Sequence, residues 1–200
     1  MKAFLARAVT GYLAQPVMRC AAKVDVLSLA PLLRPGDVLL TEGNTRAAVL
    51  VRRFTRSPWA HVSMYVGALD ATSDPRCIVE ADIRAGVRAV PLSEFKGQRA
   101  RIVRPLGLDE TDRQRLAEWL VERIGAGYDL AQVFALARPF LKLPMRGAAV
   151  QDARRFICSS LLVQALLSVG HPLSGNGARF LAPRDFEAAA GFEVVQVPSA

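Results

Sequence analysis

The chain has 200 residues, 52% of them hydrophobic, enough for one packed domain and not the composition of a disordered chain. A net charge of +8 favours anionic partners, but the basic residues are scattered and form no nucleic-acid motif, so nucleic-acid binding is not expected. Cys20, Cys77 and Cys158 are widely spaced, which indicates neither zinc nor a disulfide framework and suits a reducing compartment.

In chain order, Met1–Cys20 is basic and apolar. Arg7 interrupts its apolar run and no small-residue cleavage site follows, so a signal peptide is not expected. Pro16 stops any helix too early to span a bilayer. Phe4, Leu5, Ala8, Val9 and Tyr12 form an amphipathic stripe that either packs on the domain or lies on a membrane. The division is therefore an N-terminal amphipathic extension, residues 1–24, and one domain, residues 25–200. The expected location is cytoplasmic, with the inner membrane face as the place of any peripheral attachment.

Asp25–Leu33 reads as a short helix, Arg34-Pro35-Gly36-Asp37 as a turn and Val38–Thr41 as a strand. Gly43-Asn44 leads into a helix over Arg46–Phe54, with three arginines on or near it. After the Ser57-Pro58 break come strands at His61–Gly67 and Cys77–Asp82, then Gly86–Val90 and Arg99–Arg104. Asp109 caps a helix whose buried face is Leu116, Trp119, Leu120 and Ile124. Asp129 caps a second helix through Ala137, and Arg138–Arg155 is a long connection, both apolar and basic. Pro183–Ala190 is a short helix and Phe192–Val197 a closing strand. Strands cluster before residue 105 and helices after it, which predicts an α+β fold with an antiparallel sheet packed against helices.

The chemistry gathers around Arg154–Leu167. Leu161, Leu162, Ala165 and Leu166 recur at helical spacing, which places the helix start, and its first-turn Ser159 and Ser160, at Cys158. Unpaired N–H groups and the positive dipole end at a helix start favour thiolate over thiol, and can receive an oxyanion. A cysteine nucleophile needs a base, and the chain has two histidines. His171 stands at the far end of the same helix, in a Gly-His-Pro stop, and reads as a surface residue or a partner of the helix C-terminus. That leaves His61, which shares a strand face with Ser63 and Tyr65. On the next strand Glu80 and Asp82 share one face, and alternation alone does not choose which orients the imidazole. Tyr65, Tyr128 and Ser159 are the candidate substrate contacts, with a half-buried core position as the alternative for Tyr128.

The ordered set LRPGDVLLTE (Leu33–Glu42), HVSMYVG (His61–Gly67), Val79-Glu80-Ala81 and FICSSLL (Phe156–Leu162) resembles the circularly permuted NlpC-type papain-like cysteine hydrolases, the YiiX/YebB-like proteins, and more distantly lecithin–retinol acyltransferase. The resemblance spans Leu33 to Gly170 and puts histidine before cysteine, as in the permuted branch. It implies a permuted papain-like fold with His61 as base, Glu80 as the orienting group and Cys158 as nucleophile. It also matches Gly36-Asp37 and Tyr128-Asp129, read here as frame or pocket wall. The expected activity is a cysteine hydrolase or acyltransferase acting on an amide or ester, without metal or organic cofactor. The expected substrate is a lipid acyl group or a peptide amide. The rival expectation is a non-catalytic module that binds a membrane surface or anionic ligand. Phe140, Leu141, Leu143 and Met145, threaded with Arg138, Lys142 and Arg146, either fold down over the core or meet an anionic membrane surface, which would be a further partner.

Overall fold

Val38–Thr41 (β1) is buried along its whole length and pairs on both sides, which makes it the centre of the sheet. The computed structural model describes residues 11–17, 26–129, 155–171, 173 and 182–196. Around β1 stand His61–Tyr65 (β2), Arg76–Asp82 (β3), Gly86–Pro91 (β4), Ala100–Pro105 (β5) and Phe192–Val194 (β8). Their order is β4-β3-β2-β1-β5-β8, and every pairing is antiparallel. Two further short strands, Gly127–Tyr128 (β6) and Arg155–Phe156 (β7), pair in parallel apart from this sheet. The helices are Arg46–Thr55 (α1), Glu110–Val121 (α2), Cys158–Ser168 (α3) and Pro183–Ala188 (α4).

Both faces of the central strands are covered, which is why β1 reads as continuously apolar. Val38, Leu40, Val62, Met64, Val79 and Val103 join one core with Leu161, Leu162, Ala165 and Leu166 of α3, Leu116 and Leu120 of α2, and Phe186 of α4. Leu39, Ile78, Val90 and Ile102 join a second core with Leu92 and Phe95 and with Val26 and Leu29 of a 3-10 helix at Val26–Leu32. Apolar burial of this kind stabilises by about 25 cal/mol per Å² removed from water. Asp37 is fully buried on the turn before β1. Its carboxylate accepts two hydrogen bonds from Arg104, at 2.8 and 2.7 Å, and one from the Arg34 N–H at 2.8 Å.

The approach of β6 to the sheet depends on Gly86. Its φ is +74°, and a Cβ there would lie 2.2 Å from the Ala126 carbonyl oxygen. Without one, Val87 N–H donates to Ala126 O and Gly125 N–H to Val87 O, both at 2.8 Å.

Three expectations change. Asp109 caps α2 by accepting from Asp112 N–H at 2.8 Å, but the helix ends at Val121 and Ile124 is exposed, because the chain turns before the residue can reach the buried face. The parallel β6–β7 pair, two residues on each side, was not anticipated. His171 is neither a surface residue nor, through its side chain, a helix cap. It is buried, 3% exposed, with its ring centroid 5.3 Å from that of Phe192, while its backbone N–H closes the helix end by donating to Leu166 O. The Asp129–Ala137 helix, the connection from residue 138 to 154 and the apolar stripe at Phe4–Val9 lie outside the described residues. Residues 15–17 dock on the start of α1: Arg46 N–H donates to Gln15 O and Val17 N–H to Asn44 O.

Burial holds the His171 imidazole below its ordinary pKa and outweighs the opposing effect of the Leu106 and Gly191 backbones. A depressed folded value means that the unfolded chain takes up the proton first. The stability contribution is complete above about pH 6.5, the ordinary imidazole value, and is lost as pH falls through the folded value. Urea melts between pH 7 and pH 5 should therefore show a shallower loss of stability in His171→Leu than in wild type. Equal slopes would remove His171 as the cause.

Candidate active site

Trp59 anchors the start of β2. It is buried, its indole N–H donates to Glu187 at 2.6 Å, and the following Ala60 N–H donates to Thr41 O at 2.9 Å. The imidazole of His61 thus stands at the end of the strand with little freedom. Glu80, in the middle of β3, approaches it: Glu80 Oε2 lies 2.7 Å from His61 Nε2, and the side chains are 4% and 22% exposed. With Nε2 engaged by Glu80, Nδ1 is left free of it, and the Cys158 side chain stands close enough to the imidazole to raise its pKa.

Arg88 completes the carboxylate's partners. It faces Glu80 directly across the β3–β4 ladder, and its Nε and Nη2 donate to Glu80 Oε1 at 3.0 and 2.7 Å. Arg88 Nη2 also donates to Glu94. One carboxylate therefore binds a cation through one oxygen and the imidazole through the other. Burial would raise the Glu80 pKa, but His61 and Arg88 outweigh it and the net shift is downward, which keeps Glu80 ionised. For His61 burial acts to lower the pKa. The Glu80 charge and the Cys158 contact outweigh it, and the value is raised well above the ordinary one. Arg88 was missed in the sequence, although a count was available: once the β3–β4 turn is placed around Arg84, Glu80 falls opposite Arg88.

Asp82, the alternative carboxylate, is used elsewhere. Its Oδ1 accepts from the N–H groups of Arg84 and Ala85, both at 2.8 Å, and so forms the turn into β4. Cys158 is the first residue of α3, half-buried, with Ile157 as N-cap. Ser160 Oγ accepts from Ile157 N–H at 3.0 Å and donates to Ile157 O at 3.2 Å, which pins the first turn. The early N–H groups of such a helix have no intrahelical acceptor and point past its first residue. Ser159 is buried in the same turn. Tyr128, on β6, lies within electrostatic reach of Cys158, and burial together with Cys158 and Asp82 raises its pKa well above 10.0. Tyr65 lies elsewhere: it packs against the second core, near Cys77. His61, Glu80, Cys158 and Tyr128 are thus gathered together, and Tyr65 is not.

No group of three or more His, Cys, Asp or Glu among the described residues is arranged to hold a metal ion. No helix among them is long and apolar enough to cross a membrane.

A histidine between a carboxylate and a helix-start thiol, carried on an antiparallel sheet packed against helices, defines the class of papain-like cysteine hydrolases. The chain belongs to the permuted papain-like amidase family, YaeF/YiiX, C92, whose model matches residues 32–137. That match contains His61 and Glu80 and ends before Cys158. Among solved structures the chain is similar in fold to the crystal structure of metalloprotein YiiX from Escherichia coli O157:H7, at 16% identity and a TM-score of 0.60, over 82% of this chain and 96% of that one. No curated protein matches the chain.

Proposed function

We propose that this protein hydrolyses an amide bond through an acyl-enzyme on Cys158. The observation that carries the reading is the single imidazole of His61 held between Glu80 and Cys158. In this reading the Cys158 sulfur bonds to the substrate carbonyl carbon and its proton passes to His61. The negative charge moves onto the carbonyl oxygen, where the Cys158 backbone N–H at the start of α3 can receive it. As the tetrahedral species collapses, the C–N bond breaks and His61 gives its proton to the leaving amine. Water then attacks the thioester, losing a proton to His61, and the released sulfur regains one as the acid departs. Glu80 positions the imidazole and stabilises its charged form, and Tyr128 lines the approach to the sulfur as a neutral phenol. Ser159 serves packing, and Tyr65 lies too far along β2 to contact the reacting atoms.

The amide is favoured over a lipid ester because the family is one of amidases. The leaving group is a small amine or a peptide. Release to an acceptor other than water would make the same acyl-enzyme an acyltransferase.

The test is labelling with an acyl-type thiol probe, followed by peptide mapping. Cys158 should be modified first, while Cys77, buried and with its thiol pKa pushed up by that burial, should stay silent. Preferential modification of Cys77 would end the proposal. The role of Glu80 has a pH signature. Removing its charge lowers the His61 pKa, so in Glu80→Gln the alkaline limb of the activity profile should move to lower pH, with turnover down by roughly 10²-fold. Asp82→Asn should leave that limb in place. A limb that moves with Asp82 and not with Glu80 would reverse the assignment.

A further inference from the structure

The Glu80 side chain is 4% exposed, and each of its oxygens has its own partner. Oε2 meets the His61 ring, while Oε1 accepts two hydrogen bonds from the single guanidinium of Arg88, from Nε at 3.0 Å and from Nη2 at 2.7 Å. Two donors fixed in one rigid plane define where that oxygen lies. A carboxylate is flat, so fixing Oε1 in this way also limits where Oε2 can be presented to the imidazole.

Arg88 is itself held from two directions. It stands directly opposite Glu80 in the β3–β4 ladder, so both side chains leave the sheet on the same face. Its Nη2 also donates to Glu94 Oε1 at 2.5 Å. Glu94 belongs to a 3-10 turn, Leu92–Phe95, which follows β4 and is anchored by buried Leu92 and Phe95. With the imidazole protonated, His61, Glu80, Arg88 and Glu94 form a row of alternating charge. A buried carboxylate with a histidine as its one cation would be stranded whenever that histidine is neutral. Arg88 removes the dependence, because its charge is permanent.

We infer that Arg88 is a positioning residue of the candidate active site, which keeps Glu80 aimed at His61 while the imidazole takes up and gives back its proton. The inference rests on the catalytic reading above and adds to it a group that touches neither the substrate nor the reacting atoms. It has a signature in pH. The charged groups bearing on the ring are Glu80 from β3 and Cys158 from α3, and those bearing on Glu80 are His61 from β2 and Arg88 from β4. Tyr128 from β6 bears on Cys158. Glu80 and His61 together hold one proton at neutral pH, and losing it leaves the pair with a net negative charge. Arg88 stabilises that negative pair, so without Arg88 the proton is harder to lose. The alkaline limb of Arg88→Met should therefore move to higher pH, by about half a pH unit or more. Mere misplacement of Glu80 would move it to lower pH, as Glu80→Gln does.

Imidazole NMR titrations and pH profiles of kcat test this together. The chain has two histidines, and His61→Ala tells their resonances apart. In Arg88→Met the His61 titration should move to higher pH and kcat should fall by about tenfold. Arg88→Lys keeps the charge but not the paired donors of one plane, so its titration should stay near that of wild type while kcat falls by part of that factor. Arg88→Met/Glu80→Gln should be no slower than Glu80→Gln, since Arg88 acts through that carboxylate alone. This double variant strands no charge, and it decides the matter if Arg88→Met folds poorly. A His61 titration that moves down or stays in place in Arg88→Met overturns the inference, as does a double variant markedly slower than Glu80→Gln. Undiminished turnover in Cys158→Ala would instead end the catalytic reading. The NMR titrations need no turnover, so they would still show whether Arg88 governs the Glu80–His61 pair.

Discussion

Cys158→Ala is expected to lower amide turnover by on the order of 10⁴-fold or more, and His61→Ala by a comparable factor. The effects should not add: the double variant should be no worse than either single one, because sulfur and imidazole act as one unit in forming the acyl-enzyme. Physically, His61 without Cys158 has nothing to activate. Cys158 without His61 loses both its proton acceptor and the acid that releases the amine. The proximity of Cys158 to the His61 imidazole and the 2.7 Å contact of that ring to Glu80 motivate the expectation. His171→Ala supplies the control. His171 lies beyond the far end of α3, which at 1.5 Å per residue puts it roughly 15 Å from the start of the helix. Measured kcat and KM for the four variants decide the matter. A variant at His171 as damaging as one at His61, with folding intact, would break the proposed pair.

Arg104→Met should be the most destabilising of the single changes considered, at about 3–5 kcal/mol. Asp37 has no exposure, and Arg104 supplies two of the three hydrogen bonds to its carboxylate. Methionine keeps much of the volume but leaves a buried negative charge facing an apolar side chain. Such a loss is a large fraction of the 5–15 kcal/mol typical of a domain. The second variant separates charge from packing: adding Asp37→Asn to Arg104→Met removes the stranded charge and should recover part of the loss. Urea unfolding of the two proteins measures this. A double variant no more stable than Arg104→Met would mean that lost packing, and not the isolated charge, is the cause. The same bridge ties the turn before β1 to β5 on the other side of the sheet centre, so the expected effect is on the whole domain and not on a local loop.

Much of the candidate site was legible in the residues. Period-two alternation placed His61 on a strand, and helical spacing after Cys158 placed that thiol at a helix start, because both signals are local. With only two histidines, elimination favoured His61. The choice between Glu80 and Asp82 was not local. The two residues share parity, so the pattern treats them alike. The turn decided it, since Arg84 and Ala85 N–H groups engage Asp82 and leave Glu80 to meet the ring. Arg88 is a matter of register, which depends on where the turn falls.

The sequence by itself determined the α+β class, the cap at Asp109, the helix start at Cys158, and the histidine and cysteine that the fold brings together. These follow from periodicity and from hydrogen bonds between near neighbours. Only the tertiary structure decided which sides are inside. His171 reads as a helix-stop residue and is buried because Phe192 returns over it from the end of the chain. Gly127–Tyr128 and Arg155–Phe156 are too short for any period, and they pair because Gly86 lets the backbone pass close. On α1 the apolar residues Val49, Leu50 and Phe54 carry no mark of which way they face. Burial is a property of what packs against a helix, and here Ala48 and Thr55 are buried while the larger side chains stay partly exposed.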